Sequence, residues 1–217
     1  MEFDSILFSY GSKPILRGIY LRIPQGSIIG LFGVNGSGKS TLIKIGAGVL
    51  KPDNGNIFID KKVYANNLSM KRYNYIAHLS QDSFLPLDIR VNDLLQISAS
   101  LKVNFEVDTI LSRIRYQKIA SLSVGEKRYL EIVLLFTLDR DYYLIDEPFT
   151  GLEPLIIERI SNLLLEQKKL GKGLLITDHY HRYITEITDK SYLLNDGYIS
   201  DLGNGKEELL KLGYLSS

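Results

Sequence analysis

One stretch, Gly33-Val34-Asn35-Gly36-Ser37-Gly38-Lys39-Ser40, stands between an apolar β-type run, Ser27 to Phe32, and a helical stretch from about Ser40 to Ala47. The pattern G-x-x-x-x-G-K-[ST] in a strand–loop–helix setting constrains the fold. Its glycines must let backbone N–H groups turn inward and approach an anion closely. The following helix points its positive end at the same anion. Lys39 then reaches the β- and γ-phosphates of a nucleotide and Ser40 ligates Mg²⁺, while Gly33, Asn35, Gly36, Ser37, Gly38 and Thr41 form the rest of the cradle. GTPases, kinases, recombinases and transport ATPases all use such a loop, so the class must be decided elsewhere in the chain.

The 217 residues fit one domain, or one domain with a small lobe attached. A hydrophobic share of 45% against 24% charged residues excludes a disordered or collagen-like chain. A net charge of +1 excludes a strongly basic nucleic-acid binder, but not a phosphate ligand, which needs only local positive potential. The chain has no cysteine, so zinc fingers, iron–sulfur clusters and thiol catalysis are excluded. Met1-Glu2-Phe3-Asp4 carries an acid where a signal peptide is basic. The longest apolar run, about Ile132 to Phe136, falls far short of the roughly 18 residues of a membrane helix. The chain alone is expected not to span a bilayer, though it can dock on something that does.

Along the chain, Ile6 to Tyr10, Ile15 to Ile23 and Ser27 to Phe32 read as strands, separated by turns at Gly11-Ser12-Lys13-Pro14 and Pro24-Gln25-Gly26. Asn56 to Asp60 and Tyr75 to Leu79 read as strands too. Between residues 82 and 121 the texture changes: Val91, Leu94 and Leu95, then Ile110, Leu111 and Ile114, recur at helical spacing and predict a helical lobe. Helix and strand then alternate. Glu126 to Phe136 is helical, and Tyr142 to Ile145 is a buried strand. Leu155 to Leu170 is a helix, with Pro154 in its first turn and Gly171 beyond its end. Leu174 to Thr177 is another buried strand, and Tyr192 to Ser200 folds back around Asn195-Asp196-Gly197. The alternation implies a mostly parallel sheet, and the early strands an antiparallel piece beside it.

The strand Tyr142-Tyr143-Leu144-Ile145 ends in Asp146-Glu147-Pro148. Ligands gather at the carboxyl ends of parallel strands, so these acids and the phosphate loop can face one crevice. Asp146 suits Mg²⁺, directly or through water. Glu147 suits a general base that orients the attacking water.

Here the sequence resembles the nucleotide-binding subunits of ABC transporters, over essentially the whole chain. Leu122-Ser123-Val124-Gly125-Glu126 is similar to the family's signature motif, Gln81 to its Q-loop glutamine, His179 to its switch histidine and Tyr10 to the aromatic that stacks on adenine. The resemblance implies an α/β, P-loop NTPase (RecA-like) fold: a mostly parallel sheet core, an antiparallel β piece and a small α-helical lobe. It implies a single ABC ATPase domain over 1–217, with 1–81 and 122–217 as catalytic core and 82–121 as the lobe. Implied too are ATP and Mg²⁺, with Ser40, Gln81 and Asp146 toward the metal and Glu147, His179 and Gln81 at the chemistry. Ser123, Gly125 and Glu126 would meet the γ-phosphate held by another subunit, in a homodimer or heterodimer. The remaining partners are transmembrane permease subunits, with no nucleic acid, at the cytoplasmic face of a membrane.

Ser123 and Glu126 also read as a capping box opening the helix, and a capped helix start presents N–H groups to an anion. His78 and His181 read as structural or exposed. Val124 replaces the first signature glycine, and Glu153 stands in Gly151-Leu152-Glu153 where the family has Asp. Gly125-Glu126-Lys127-Arg128 with Glu131-Ile132, and Ile176-Thr177-Asp178-His179, look like the lipopolysaccharide-export ATPase and its branched-chain amino-acid relatives, although the segment between Gln81 and Leu122 is short for them. Two alternatives stay open: a soluble ABC ATPase of DNA repair or translation, and a catalytically impaired ATP-binding partner in a heterodimer.

Overall fold

The computed structural model describes residues 1–64, 70–97, 108–177 and 181–203. The strands are β1 (Glu2–Tyr10), β2 (Lys13–Arg22), β3 (Ile28–Phe32), β4 (Asn54–Ile59), β5 (Lys62–Val63), β6 (Ile76–Leu79), β7 (Tyr142–Asp146), β8 (Gly173–Thr177), β9 (Lys190–Asn195) and β10 (Tyr198–Asp201). The helices are α1 (Lys39–Gly46), α2 (Met70–Tyr73), α3 (Val91–Ile97), α4 (Thr109–Ile114), α5 (Val124–Phe136), α6 (Pro154–Lys169) and α7 (His181–Ile187), with a 3-10 turn at Ile119–Ser121.

Two sheets form. One is antiparallel, in the order β2-β1-β4-β5, and the other runs β10-β9-β3-β8-β7-β6. In the second, β9, β3, β8, β7 and β6 are parallel, and β10 returns antiparallel to β9 through the two-residue turn Asp196-Gly197. β3, β7 and β8 are buried at every position, which is why their sequences are continuous apolar runs. Their side chains still alternate between faces. Ile29, Leu31, Leu144 and Leu175 join the core shared with the antiparallel sheet and α1. Phe32, Tyr143, Ile145, Leu174 and Ile176 join the core beneath α5, α6 and α7. Val91, Leu95, Ile110, Leu111 and Ile114, from the segment read as a helical lobe, belong to this second core.

α1 lies between the sheets. A Cβ on Gly46 would come within 2.6 Å of Phe3 Cζ from β1 and 2.8 Å of Leu144 Cδ1 from β7. α6 buries Ile156, Ile157, Ile160 and Leu164 along one stripe, each stabilising the fold by roughly 1.5–3 kcal/mol. Pro154 takes its first helical position and Leu170 its C-cap, with Gly171 next at φ +82°, as the sequence pattern predicts.

Register sets up the site. Leu31 pairs with Thr177, Thr177 with Asp146, and Ile145 with Leu79, so β3, β8, β7 and β6 end level with one another. Among the described residues no helix is long and apolar enough to cross a membrane.

Candidate active site

The loop after β3 wraps the start of α1. Gly38 is the N-cap in a left-handed conformation and offers no side-chain cap, and the first turn of α1 carries no acid. The first intrahelical bond of this turn runs from Leu42 N–H to Gly38 O (2.9 Å), so the N–H groups of Ser40 and Thr41 precede the helix's own ladder. Gly38 has φ +109°, and a Cβ there would lie 2.9 Å from Ile15 Cγ2; at Gly33 one would lie 2.4 Å from Leu194 O. Only glycine fits either place.

Lys39 is 5% exposed. Its ammonium donates to the loop's own carbonyls, Gly33 O at 2.7 Å and Val34 O at 3.1 Å. Ser37 Oγ is buried and finds no hydrogen-bond partner among the described residues. A buried cation resting on carbonyls, an orphaned hydroxyl and an uncapped helix start are the donor set of an anion cradle.

The cleft against this loop has a volume of about 640 Å³, within the usual range for a small-molecule site. Asn35, Gly36, Gly38, Lys39, Ser40 and Thr41 form one wall, and Gln81 and Glu147 another. Tyr10 and Ile15 stand at its edge; Tyr10 is 54% exposed, with its ring edge-on to Phe8 at 4.8 Å. The structure thus brings most of the sequence-predicted residues to one cavity. Gly33, Ser37 and Asp146 support that cavity without lining it.

Asp146 is 3% exposed, and its Oδ1 accepts from the Thr177 hydroxyl. Glu147 N–H donates to Thr177 O at 2.8 Å. Glu147 itself has φ +51°, a left-handed conformation uncommon for a residue with a side chain. Its Oε2 accepts from Gln81 Nε2 at 3.0 Å and from Thr150 Oγ1 at 3.3 Å. Among the described residues no three His, Asp or Glu side chains converge to hold a metal ion.

The start of α5 does not line this cleft, although Val124 lines an adjoining cavity that shares Gln81, Glu147 and Thr150 with it. The capping box is formed: Ser123 Oγ accepts from Glu126 N–H at 3.2 Å and Glu126 Oε2 from Ser123 N–H at 2.8 Å. Val124 is 70% exposed, so its branched side chain costs nothing within the protomer. Gly125 sits against α6, where a Cβ would lie 3.3 Å from Ile156. Glu153 is the N-cap of α6 but makes no capping bond, because its carboxylate sits one methylene beyond where an Asp would place it. His78 is partly buried on β6; burial holds its imidazole below the usual value, with Asp146 opposing and Lys44 reinforcing. His179 lies outside the described residues.

Three groups carry roles that the sequence does not assign to them. Thr150 was hidden among turn residues, and Thr177 by its place in an apolar strand. Arg128 donates to the carbonyls of Ser80 (2.8 Å), Asp146 and Glu147 (3.2 Å) and pairs with Glu131 (3.1 Å). A charged pair three apart on the buried face of a helix is the signal that could have found it.

The family profile described as "ABC transporter" matches residues 16–150. The lipopolysaccharide export system ATP-binding protein LptB of Acidithiobacillus ferridurans is 28% identical over 95% of this chain and 91% of its own. A nucleotide-free ATP-binding cassette from an ABC transporter superposes with a TM-score of 0.83 at 25% identity, covering 100% of this chain and 98% of that one. The ADP conformation of the ATP-binding cassette MJ1267 superposes with a TM-score of 0.83 at 25% identity, over 97% and 92% of the two chains.

Proposed function

The chain belongs to the ABC transporter family and is an ATP-binding-cassette ATPase, and from that premise we propose that it energises a membrane transporter through a nucleotide-sandwich dimer. ATP fills the cleft between the phosphate loop and Glu147. Tyr10 stacks on the adenine, Lys39 and the first N–H groups of α1 take the β- and γ-phosphates, and Ser37 donates its hydroxyl. Ser40, Asp146 and Gln81 are the groups that would hold Mg²⁺, which when bound neutralises phosphate charge and polarises the γ-phosphoryl group. Glu147 orients and deprotonates the water that attacks the γ-phosphorus, and His179 steadies the phosphate. The observation that carries this reading is Glu147 in the cleft wall, its carboxylate held by Gln81 and Thr150 across from Lys39.

Ser123 and Gly125 complete the site from a second protomer, either an identical copy or a related subunit. Their support is the capped, exposed start of α5, which lies outside the cleft of its own chain. Without those donors the rate would fall on the order of 10²–10³-fold. Closure around the γ-phosphate then moves residues 82–121, the lobe that pulls on transmembrane permease subunits, with the rest of 1–217 as the catalytic core. The chain works peripherally, on the cytoplasmic face of the membrane.

The test is Glu147→Gln. It should keep ATP binding, lose roughly 10²–10⁴-fold in turnover, and run as a dimer on gel filtration with ATP and Mg²⁺. Turnover at the parental rate would remove Glu147 from the role of base.

A further inference from the structure

The nucleotide cleft has a side chamber. A cavity of about 310 Å³ shares Gln81, Glu147 and Thr150 with the cleft and is also lined by Val124, Arg128 and Glu131. Arg128 is 7% exposed and Glu131 2%, opposite charges one turn apart on α5. A buried ion pair is weak evidence for stability, since desolvation offsets much of the attraction. α5 already packs through Tyr129, Leu130, Ile132, Leu134 and Leu135, so the pair is not needed to seat the helix.

The guanidinium's other bonds show what the charge is used for. They reach Ser80 O, one residue before Gln81, and the carbonyls of Asp146 and Glu147. Glu131 Oε1 accepts from the Ser83 hydroxyl, two residues past Gln81. One cation therefore grips both chain ends that deliver groups to the cleft. One of its acceptors belongs to Glu147, whose left-handed backbone (φ +51°) persists only where the surroundings hold it. The same helix begins at Ser123, the residue that presents donors at the open end of α5.

We propose that Arg128, oriented by Glu131, is a positioning residue for hydrolysis: it fixes the Glu147 peptide and couples it to the signature end of α5. The proposal rests on Glu147 being the base. Arg128 does not line the nucleotide cleft, so its loss is read in kcat rather than in KM for ATP. The planar fork of Arg serves several carbonyls at once, whereas a lysine ammonium is a point donor on a flexible stem.

The variant is therefore Arg128→Lys, which retains the charge facing Glu131 but not the fork. On the purified full chain, kcat should fall at least about tenfold, the size of effect expected when a catalytic group is slightly misplaced, with KM for ATP within about twofold. In a Glu147→Gln background the same change should cost less than about twofold, because the group it positions is gone. Glu131→Gln, which keeps the shape and removes the orienting charge, should also lower kcat and spare KM. An unchanged kcat in Arg128→Lys, a loss carried by KM, or multiplicative effects with Glu147→Gln would each overturn the proposal. A variant that unfolds or loses fluorescent-ATP binding would make Arg128 a packing residue and overturn it equally. If Glu147→Gln alone turned over at the parental rate, the base assignment would have failed instead, and the Arg128 proposal with it.

Discussion

Thr177 holds the two acids of β7 in place. Its hydroxyl donates to Asp146 Oδ1, its carbonyl accepts from Glu147 N–H at 2.8 Å, and it is wholly buried. Thr177→Val keeps the volume and the strand but removes the hydroxyl. The lost bond leaves a buried carboxylate oxygen without that donor, so about 1–3 kcal/mol of stability should go with it. Urea unfolding without nucleotide checks this, and an unchanged midpoint would mean that water satisfies Asp146 equally well. Nothing in the sequence marks Thr177 as special, because Leu174 to Thr177 reads only as a buried strand end. Its role comes from register with β7, a long-range fact. Lys39, Gln81, Asp146 and Glu147 were legible because local patterns carry them: a phosphate loop, and acids or amides just after apolar strands. Arg128 was legible only as part of a motif, since its acceptors are backbone carbonyls supplied by two distant segments.

The long elements were readable because burial writes a period into them. β3, β7 and β8 are buried throughout and apolar up to Asp146 and Thr177 at the ends of β7 and β8, and α6 carries its stripe, so their types and approximate ends follow from pattern alone. The short ones were not. β5 has two residues, α2 four and α7 seven, too few to show a period. β2 begins at Lys13 and takes in Pro14, which reads as turn; the strand tolerates it because β2 is an edge of its sheet. α1 carries an element-scale prediction. Gly46 lies in its last turn, where helix propensity alone favours alanine by about 1 kcal/mol. The added methyl would meet Phe3 Cζ at 2.6 Å and Leu144 Cδ1 at 2.8 Å, both side chains wholly buried. Overpacking of this kind costs roughly 1–3 kcal/mol, so the clash outweighs the propensity and Gly46→Ala should destabilise. A Gly46→Ala protein with a raised melting temperature would show that α1 can shift between the sheets.

At the scale of the whole molecule, the two cores have a common consequence. Sandwiching α1 between an antiparallel sheet and a parallel one fixes the phosphate loop against the level ends of β3, β8, β7 and β6. The strand–helix alternation foretold the parallel sheet and the antiparallel piece beside it; it did not foretell α1 between them or the pairing of β1 with β4, across β2, β3 and α1. Ser123, at the start of α5, does not line the cleft that holds Lys39, and the proposed dimer supplies it from the partner. A mixing experiment tests this arrangement. Lys39→Ala removes the buried cation from one cradle, and Ser123→Arg fills the open end of α5 with a bulky charge. Each variant alone should be nearly inactive. In a head-to-tail pair of one with the other, both lesions fall on one site and the second site is intact. Random pairing makes half the dimers mixed, each with one working site, so the mixture should recover up to about a quarter of the parental rate. Recovery should rise with protein concentration as pairs form. A mixture as inactive as its components, at concentrations where the parental chain hydrolyses ATP, would mean that each protomer completes its own site.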